Sequence, residues 1–278
     1  MIKYISKRIL QALGVILLVS IITFVLMNLA PGSPFASEKS QSPEVLQALN
    51  EKYGLDQPKY IQLKNFLFNA LKGDFGVSLK LQKNRPVIDI IKEMFPTSAK
   101  LGILALIWAT LVGVPLGCLA AYNRGKPIDS ILRVITTIGI SAPGFVVATL
   151  LLLLFAVKLK WLPTMGLSSP KSYIMPVFSL GFYPMCYIAR LSRSSMLDAI
   201  GQDYIRTARA KGVSESRVIF KHALKNAFIP VLTYLGPLSA GIITGSMVVE
   251  SVFSVQGLGR YFINSVLNRD YPIIMATT

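Results

Sequence analysis

The chain has 278 residues, 53% of them hydrophobic and only 15% charged, with a formal net charge of +16 and a mean hydropathy of +0.55. A soluble domain carries charge on about a quarter of its residues, so the composition argues against a water-soluble globular protein and for a membrane protein. The two cysteines, Cys118 and Cys186, both fall in apolar stretches and read as small core residues, not as a disulfide framework.

In chain order, uncharged blocks cover residues 9–30, 101–123, 134–157, 172–189 and 226–249. Each is long enough to cross a hydrocarbon core of about 30 Å as a helix. Period-2 alternation is missing, so helices are predicted and not a barrel. Lys3, Lys7 and Arg8 precede the first block as in a signal peptide, but the run is too long for an h-region and no small-residue cleavage site follows it cleanly. An uncleaved first span, residues 1–30 with its flank, is expected. Residues 31–98 follow as a region with two short helices. One is predicted to be capped by Ser42, with Val45, Leu46, Leu49 and Tyr53 on its apolar face and Gly54 at its end; the other runs from about Pro58 to Lys72. Residues 99–278 form the predicted membrane core. Pro143-Gly144 interrupts its third block, Pro176 and Pro184 its fourth, and Pro230 and Pro237 its fifth. Proline frees backbone groups that must be satisfied by neighbours or by a water-filled cavity, so several broken spans point to a pathway. Gly113 with Gly117, and Gly241 with Gly245, have the spacing of close helix contacts. From residue 271 another apolar run begins, expected as the start of a sixth helix whose remainder is missing from the sequence.

The short segments around residues 1–8, 124–133 and 190–225 hold fourteen Lys and Arg, against five in the short segments on the other side. The positive-inside bias therefore puts the N-terminus and the 190–225 loop in the cytoplasm and residues 31–98 outside. The same bias, with anionic lipid, accounts for the net charge without nucleic acid.

Chemistry-bearing patterns are sparse. No GxxxxGK[ST], HExxH, CxxC or GxSxG is present, and no carboxylate pair lies within a block. No cofactor, metal or catalytic residue is predicted. His222, the lone histidine, reads as a surface residue. Glu250 closes an apolar block, where an ionisable side chain is a functional candidate; the plainer reading is an acid in interfacial water. Pro143, Gly241, Gly245 and Glu250 are the candidate pathway residues.

The most informative segment is Asp203-Tyr-Ile-Arg-Thr-Ala-Arg-Ala-Lys-Gly212. Asp203 is expected to cap a helix from Tyr204, Ala208 and Ala210 to allow close approach of another surface, and Gly212 to stop the helix in a left-handed turn. Ser214 is expected to cap a second helix that runs into the fifth block. The result is a short basic helix tied to two spans across residues 190–228, either a handle for another protein or an amphipathic helix held by lipid.

Thr207-Ala-Arg-Ala-Lys-Gly212 followed by Ala223-Leu-Lys-Asn-Ala-Phe-Ile-Pro230 resembles the EAA loop of ABC-importer permeases, with Thr-Ala-Arg in place of Glu-Ala-Ala as in the peptide and nickel branch. Leu29-Ala-Pro-Gly-Ser-Pro34, Gly73-Asp-Phe-Gly76, Ser98-Ala-Lys-Leu-Gly102, Gly241-Ile-Ile-Thr-Gly-Ser-Met-Val-Val-Glu250 and Leu267-Asn-Arg-Asp-Tyr271 extend the resemblance over nearly the whole chain. They are similar to the B-type membrane subunit of oligopeptide permeases. The resemblance implies an all-α type I importer fold of six spans in a bacterial cell membrane. It implies as partners a second permease, two cytoplasmic ATPases, an extracytoplasmic binding protein and a peptide substrate. Asp203, Arg206, Ala208, Arg209, Ala210, Lys211 and Gly212 become a coupling helix, with Arg206, Arg209 and Lys211 pairing with acids of an ATPase. Dipeptide, murein-peptide or nickel cargo, or a passive channel or scaffold, are the alternatives.

Overall fold

The computed structural model describes residues 1–29, 35 and 43–278. The predicted cap at Ser42 and the end of the first span at residues 30–34 lie outside them. Among the described residues the regular structure is helical, apart from one isolated bridge between Val77 and Pro86. Four helical stretches are long and apolar enough to cross a membrane: Ile2–Leu29, Val87–Tyr122, Pro170–Ile200 and Glu215–Val252. A fifth run, Pro127–Ser141 with Gly144–Lys158, is bent by 103°. The chain divides into two compact units, one of residues 1–94 with 261–278 and one of residues 95–260.

The first unit contains α1 (Ile2–Leu29), α2 (Pro43–Lys52), α3 (Lys59–Ala70), the start of α4 (Val87–Tyr122), most of α12 (Leu258–Asn268) and α13 (Tyr271–Thr277). Gly54 and Gly73, at φ +64° and +79°, follow α2 and α3 as left-handed stops. The centre of the unit is a captured carboxylate. Asp270, wholly buried, accepts hydrogen bonds from Ser78 Oγ at 2.5 Å, Leu79 N at 3.0 Å, Lys80 N at 3.0 Å and Leu81 N at 2.9 Å. Successive amides of one turn thus converge on one side chain, an anion-binding concavity closed by the chain's own acid. On the first turns of α4, Val87, Ile90 and Met94 recur at helical spacing and are buried.

The second unit is built around α7 (Ile174–Ile200). α4 crosses it where a methyl group on Gly113 would lie 2.7 Å from the Met185 carbonyl oxygen, and where one on Gly117 would overlap Ala189 and Ser192. The first predicted glycine pair therefore makes a close helix contact. α5 (Pro127–Ser141) meets α7 with Gly139 against Cys186. α10 (Leu224–Ile243) is approached by α4 at Gly102, whose missing side chain would collide with the Ile242 carbonyl at 2.7 Å.

The block expected over residues 134–157 is not one kinked helix. α5 ends at Ser141, Ala142 and Pro143 adopt extended ψ values of 125° and 133°, and α6 (Gly144–Leu151) leaves in a new direction before a π-helical stretch over Leu152–Lys158. A residue before proline is pushed out of the helical region, so the break falls at Ala142-Pro143. By contrast Pro96, Pro115, Pro184, Pro230 and Pro237 are carried inside continuous helices.

Candidate functional site

α7 ends at Ile200, and Gln202, extended at ψ 154°, starts α8 (Asp203–Ala210). Ile205 and Ala208, three residues apart, are the two buried positions of α8. They pack into an apolar cluster with Cys118 and Ala121 of α4, Met196 and Ala199 of α7, and Val218, Ala223 and Ala227 after the loop. Asp203, Arg206, Arg209, Ala210, Lys211 and Gly212 are exposed. Gly212 has φ +76° with open space where a side chain would stand, so backbone conformation alone demands glycine there. Its amide donates to the Arg209 carbonyl at 2.9 Å and the Val213 amide to the Ala208 carbonyl at 3.2 Å, closing the helix. The guanidinium of Arg209 spans the turn to Glu215, with Nε 3.0 Å and Nη2 2.5 Å from its carboxylate. That hydrogen-bonded pairing pushes the Arg209 pKa up.

Four expectations change here. Asp203 is the first helical residue and not the cap; its carboxylate meets Arg206 Nη1 at 3.4 Å and stands by the positive end of the helix. Ser214 occupies the next cap position without a side-chain cap bond, and the helix it opens, α9 (Glu215–Arg217), passes through a π-helical stretch over Val218–Ala223 into α10. Ala208 faces the chain's own core, which leaves Ala210 as the small exposed residue. Arg209 is held by Glu215 within the chain, while Arg206, three-quarters exposed, and Lys211 point outward.

The pathway candidates separate into three places. Pro143 sits at the α5–α6 break. Gly241 lies on the exposed side of α10 with nothing within 4 Å of its absent side chain, so the second glycine pair is not a packing contact within the described chain. Gly245 and Glu250 meet in one polar knot. Glu250 lies in α11 (Met247–Val252) and is wholly buried, not in interfacial water. Its Oε1 accepts from Ser98 Oγ at 2.8 Å and Ser246 N at 3.1 Å, and its Oε2 from Arg260 N at 3.0 Å. Ser98 Oγ in turn accepts from Leu258 N at 2.9 Å. Gly245, at φ +118°, would bring a methyl group 3.0 Å from Oε1; one on Gly257 would lie 2.5 Å from Oε2 and one on Gly259 2.6 Å from the Ser246 carbonyl carbon. The glycines make room for backbone amides to reach the acid.

Ser98, Gly257 and Gly259 are not discernible as partners of Glu250 from spacing alone. A second missed pair is Asp129 with Arg193: the buried Asp129 carboxylate takes a bidentate grip from Nε at 2.7 Å and Nη2 at 2.8 Å, and accepts from Gly125 N at 3.1 Å. Its signal was a single acid in the strongly basic 124–133 segment.

The chain matches two family descriptions: "Binding-protein-dependent transport system inner membrane component" over residues 113–278 and the N-terminal "Binding-prot-dependent transport system membrane comp" over residues 1–102. It is 46% identical over 280 residues to the oligopeptide transport system permease protein OppB of Haemophilus influenzae, covering all of this chain and 91% of that one. It is 43% identical to the dipeptide transport system permease protein DppB of Bacillus subtilis, covering all of this chain and 90% of that one. Among solved structures, inward-facing MetNI methionine ABC transporter aligns at TM-score 0.52 and 17% identity, over 68% of this chain and 93% of that one. At that identity the likeness concerns the fold.

Proposed function

The chain belongs to the family of binding-protein-dependent transport system inner membrane components, and from that premise we propose that it is the permease subunit of an ATP-driven peptide importer, with oligopeptides as cargo. It is a multi-pass membrane protein and itself non-catalytic. ATP hydrolysis falls to two cytoplasmic ATPase subunits, a second homologous permease completes the pathway, and an extracytoplasmic binding protein delivers the peptide. The N-terminus and the α8 loop face the cytoplasm, and residues 31–98 lie outside, in a bacterial cell membrane.

The observation that carries this reading is the mounting of α8. An eight-residue helix and its capping Lys211 present Arg206, Ala210 and the lysine outward while Ile205 and Ala208 fasten the helix to α4 and α7. A displacement imposed on its outer face must therefore move the packed span ends with it, because close-packed side chains transmit strain. The exposed face of α10, with Gly241 and the capping Thr244 turned outward, suits a pathway wall shared with the second permease.

The test is uptake by the assembled complex in liposomes, with a panel of peptides from two to about six residues long. Uptake that requires ATP and the binding protein, and that is strongest for peptides longer than two residues, is the expected result. Accumulation without ATP favours a passive channel and overturns the proposal. Preference for dipeptides or nickel overturns the cargo assignment alone.

A further inference from the structure

Of the stretches long enough to cross a membrane, the one containing α7 is the most buried. From Met175 to Ala199 it exposes Tyr183, Tyr187, Arg190, Ser194 and Asp198 and no other residue. Spacings of four, three, four and four put these on one stripe of the helix, and each carries a polar group. A stripe of α5 exposes Ile128, Ile131, Ile135 and Ile138 instead, the apolar composition that suits lipid. Tyr183 stacks on Tyr187 with 6.4 Å between ring centroids, and Tyr187 on Tyr234 of α10 with 4.4 Å. None of the three hydroxyls has a hydrogen-bond partner among the described residues. Beside Tyr187 opens a cleft of about 260 Å3, lined also by Ile140, Arg190, Leu191 and Ser194. Gly241, two turns beyond Tyr234 on the same side of α10, is exposed as well.

A phenol hydroxyl facing hydrocarbon is left without a partner, at a cost. An interfacial belt of tyrosines escapes this by keeping its hydroxyls at headgroup level. Tyr183 and Tyr234 lie seven and nine residues inside Arg190 and Lys225, the nearest charged positions, or about 10 and 13 Å along their helices. Side chains lean toward the N-terminus of their own helix, which on the proposed orientation carries Tyr183 deeper still. The stack is therefore too deep for a belt, and its hydroxyls require a polar occupant. We propose that Tyr183, Tyr187 and Tyr234 form a peptide-contacting wall in the cytoplasmic half of the translocation pathway, an inference that rests on the importer reading above. The ring faces cover apolar side chains of the cargo, while the hydroxyls donate to its carbonyls and accept from its amides. Tyrosine offers both contacts at small entropic cost, since two torsions set its ring. That combination fits a cargo whose backbone is constant and whose side chains vary.

The experiment uses the whole complex in liposomes. Peptide uptake by the unaltered complex is measured first, and its absence overturns the importer reading and this wall with it. With uptake present, Tyr183→Cys, Tyr234→Cys and Ile135→Cys are each treated with a small charged thiosulfonate; the native cysteines are buried. The thiolate is the reacting form and needs a polar surrounding, so positions 183 and 234 should react about a hundredfold faster than position 135. A transported tripeptide, added with the binding protein and ATP, should slow labelling at 183 severalfold. Equal rates at the three positions overturn the wall and leave the importer standing. Labelling that the tripeptide does not slow overturns peptide as the occupant. Tyr183→Phe with Tyr187→Phe and Tyr234→Phe keeps the rings and removes the hydroxyls, and uptake should fall about tenfold, the scale of a lost neutral hydrogen bond. Uptake by that triple variant equal to the unaltered rate overturns the proposal, whether or not the cysteine variants assemble.

Discussion

Among the described residues Glu250 meets three donors and no acceptor: Ser98 Oγ, Ser246 N and Arg260 N. A carboxylate only accepts, so every lone pair direction in use is matched, and the acid organises backbone instead of waiting for a substrate amine. Glu250→Gln keeps the shape but replaces one oxygen by an NH2 group. Either orientation of the amide then sets donor against donor in a site with no water access. The expected loss is about 2 kcal/mol, the scale of a broken hydrogen bond to a charged group. Gly257→Ala should lose at least as much, since its methyl would stand 2.5 Å from Oε2. The measurement is the unfolding midpoint of the purified complex. Midpoints equal to that of the unaltered protein in both variants would return Glu250 to the pathway candidates.

α8 shows how much an eight-residue helix depends on two side chains. Too short to be stable alone, it is held by Ile205 and Ala208 in the α4–α7 cluster. Ile205→Ala removes a wholly buried aliphatic chain and should cost about 2–4 kcal/mol. The expected outcome is faster amide exchange across residues 203–213 and ATP hydrolysis no longer matched by uptake. Arg206→Ala, on the exposed side, should leave exchange unaltered and weaken only the attachment of the ATPase. Unchanged exchange in Ile205→Ala would show that α8 is not clamped by the core. Much of this element was legible beforehand. Asp203 at the start, the glycine stop and the basic residues between them set its length and sign, because those features act over one or two turns. Its inward face was legible too, in the Ile205–Ala208 spacing, though reading Ala208 as a partner contact missed it. The bend at Pro143 was placed correctly but not sized: proline dictates where a helix must end, while the 103° between α5 and α6 follows from what each packs against.

At the scale of the molecule, the apolar blocks were readable because length and hydropathy decide crossing without reference to any partner. The polar knots were not. Ser98 and Glu250 are 152 residues apart, Ser78 and Asp270 192, and Asp129 and Arg193 64, and no local periodicity joins such pairs. Yet one of them connects two segments that carried the family resemblance, the motif beginning at Ser98 and the one ending at Glu250, and a second has one end, Asp270, in the Leu267–Tyr271 motif. Orientation is the remaining whole-molecule property, and the proposed one rests on charge. Cys118 and Cys186 are both buried, so they give little background to thiol labelling. Ser214→Cys and Glu51→Cys, at exposed positions on the α8 loop and on α2, report the two sides. In right-side-out vesicles a membrane-impermeant maleimide should label the cysteine at 51 and spare that at 214; in inside-out vesicles the pattern should invert, because fourteen basic residues in the short segments of one side outweigh five on the other. Labelling at 214 from outside would place α8 beyond the reach of ATP, and with it would go the reading of this helix as the point where force enters the membrane.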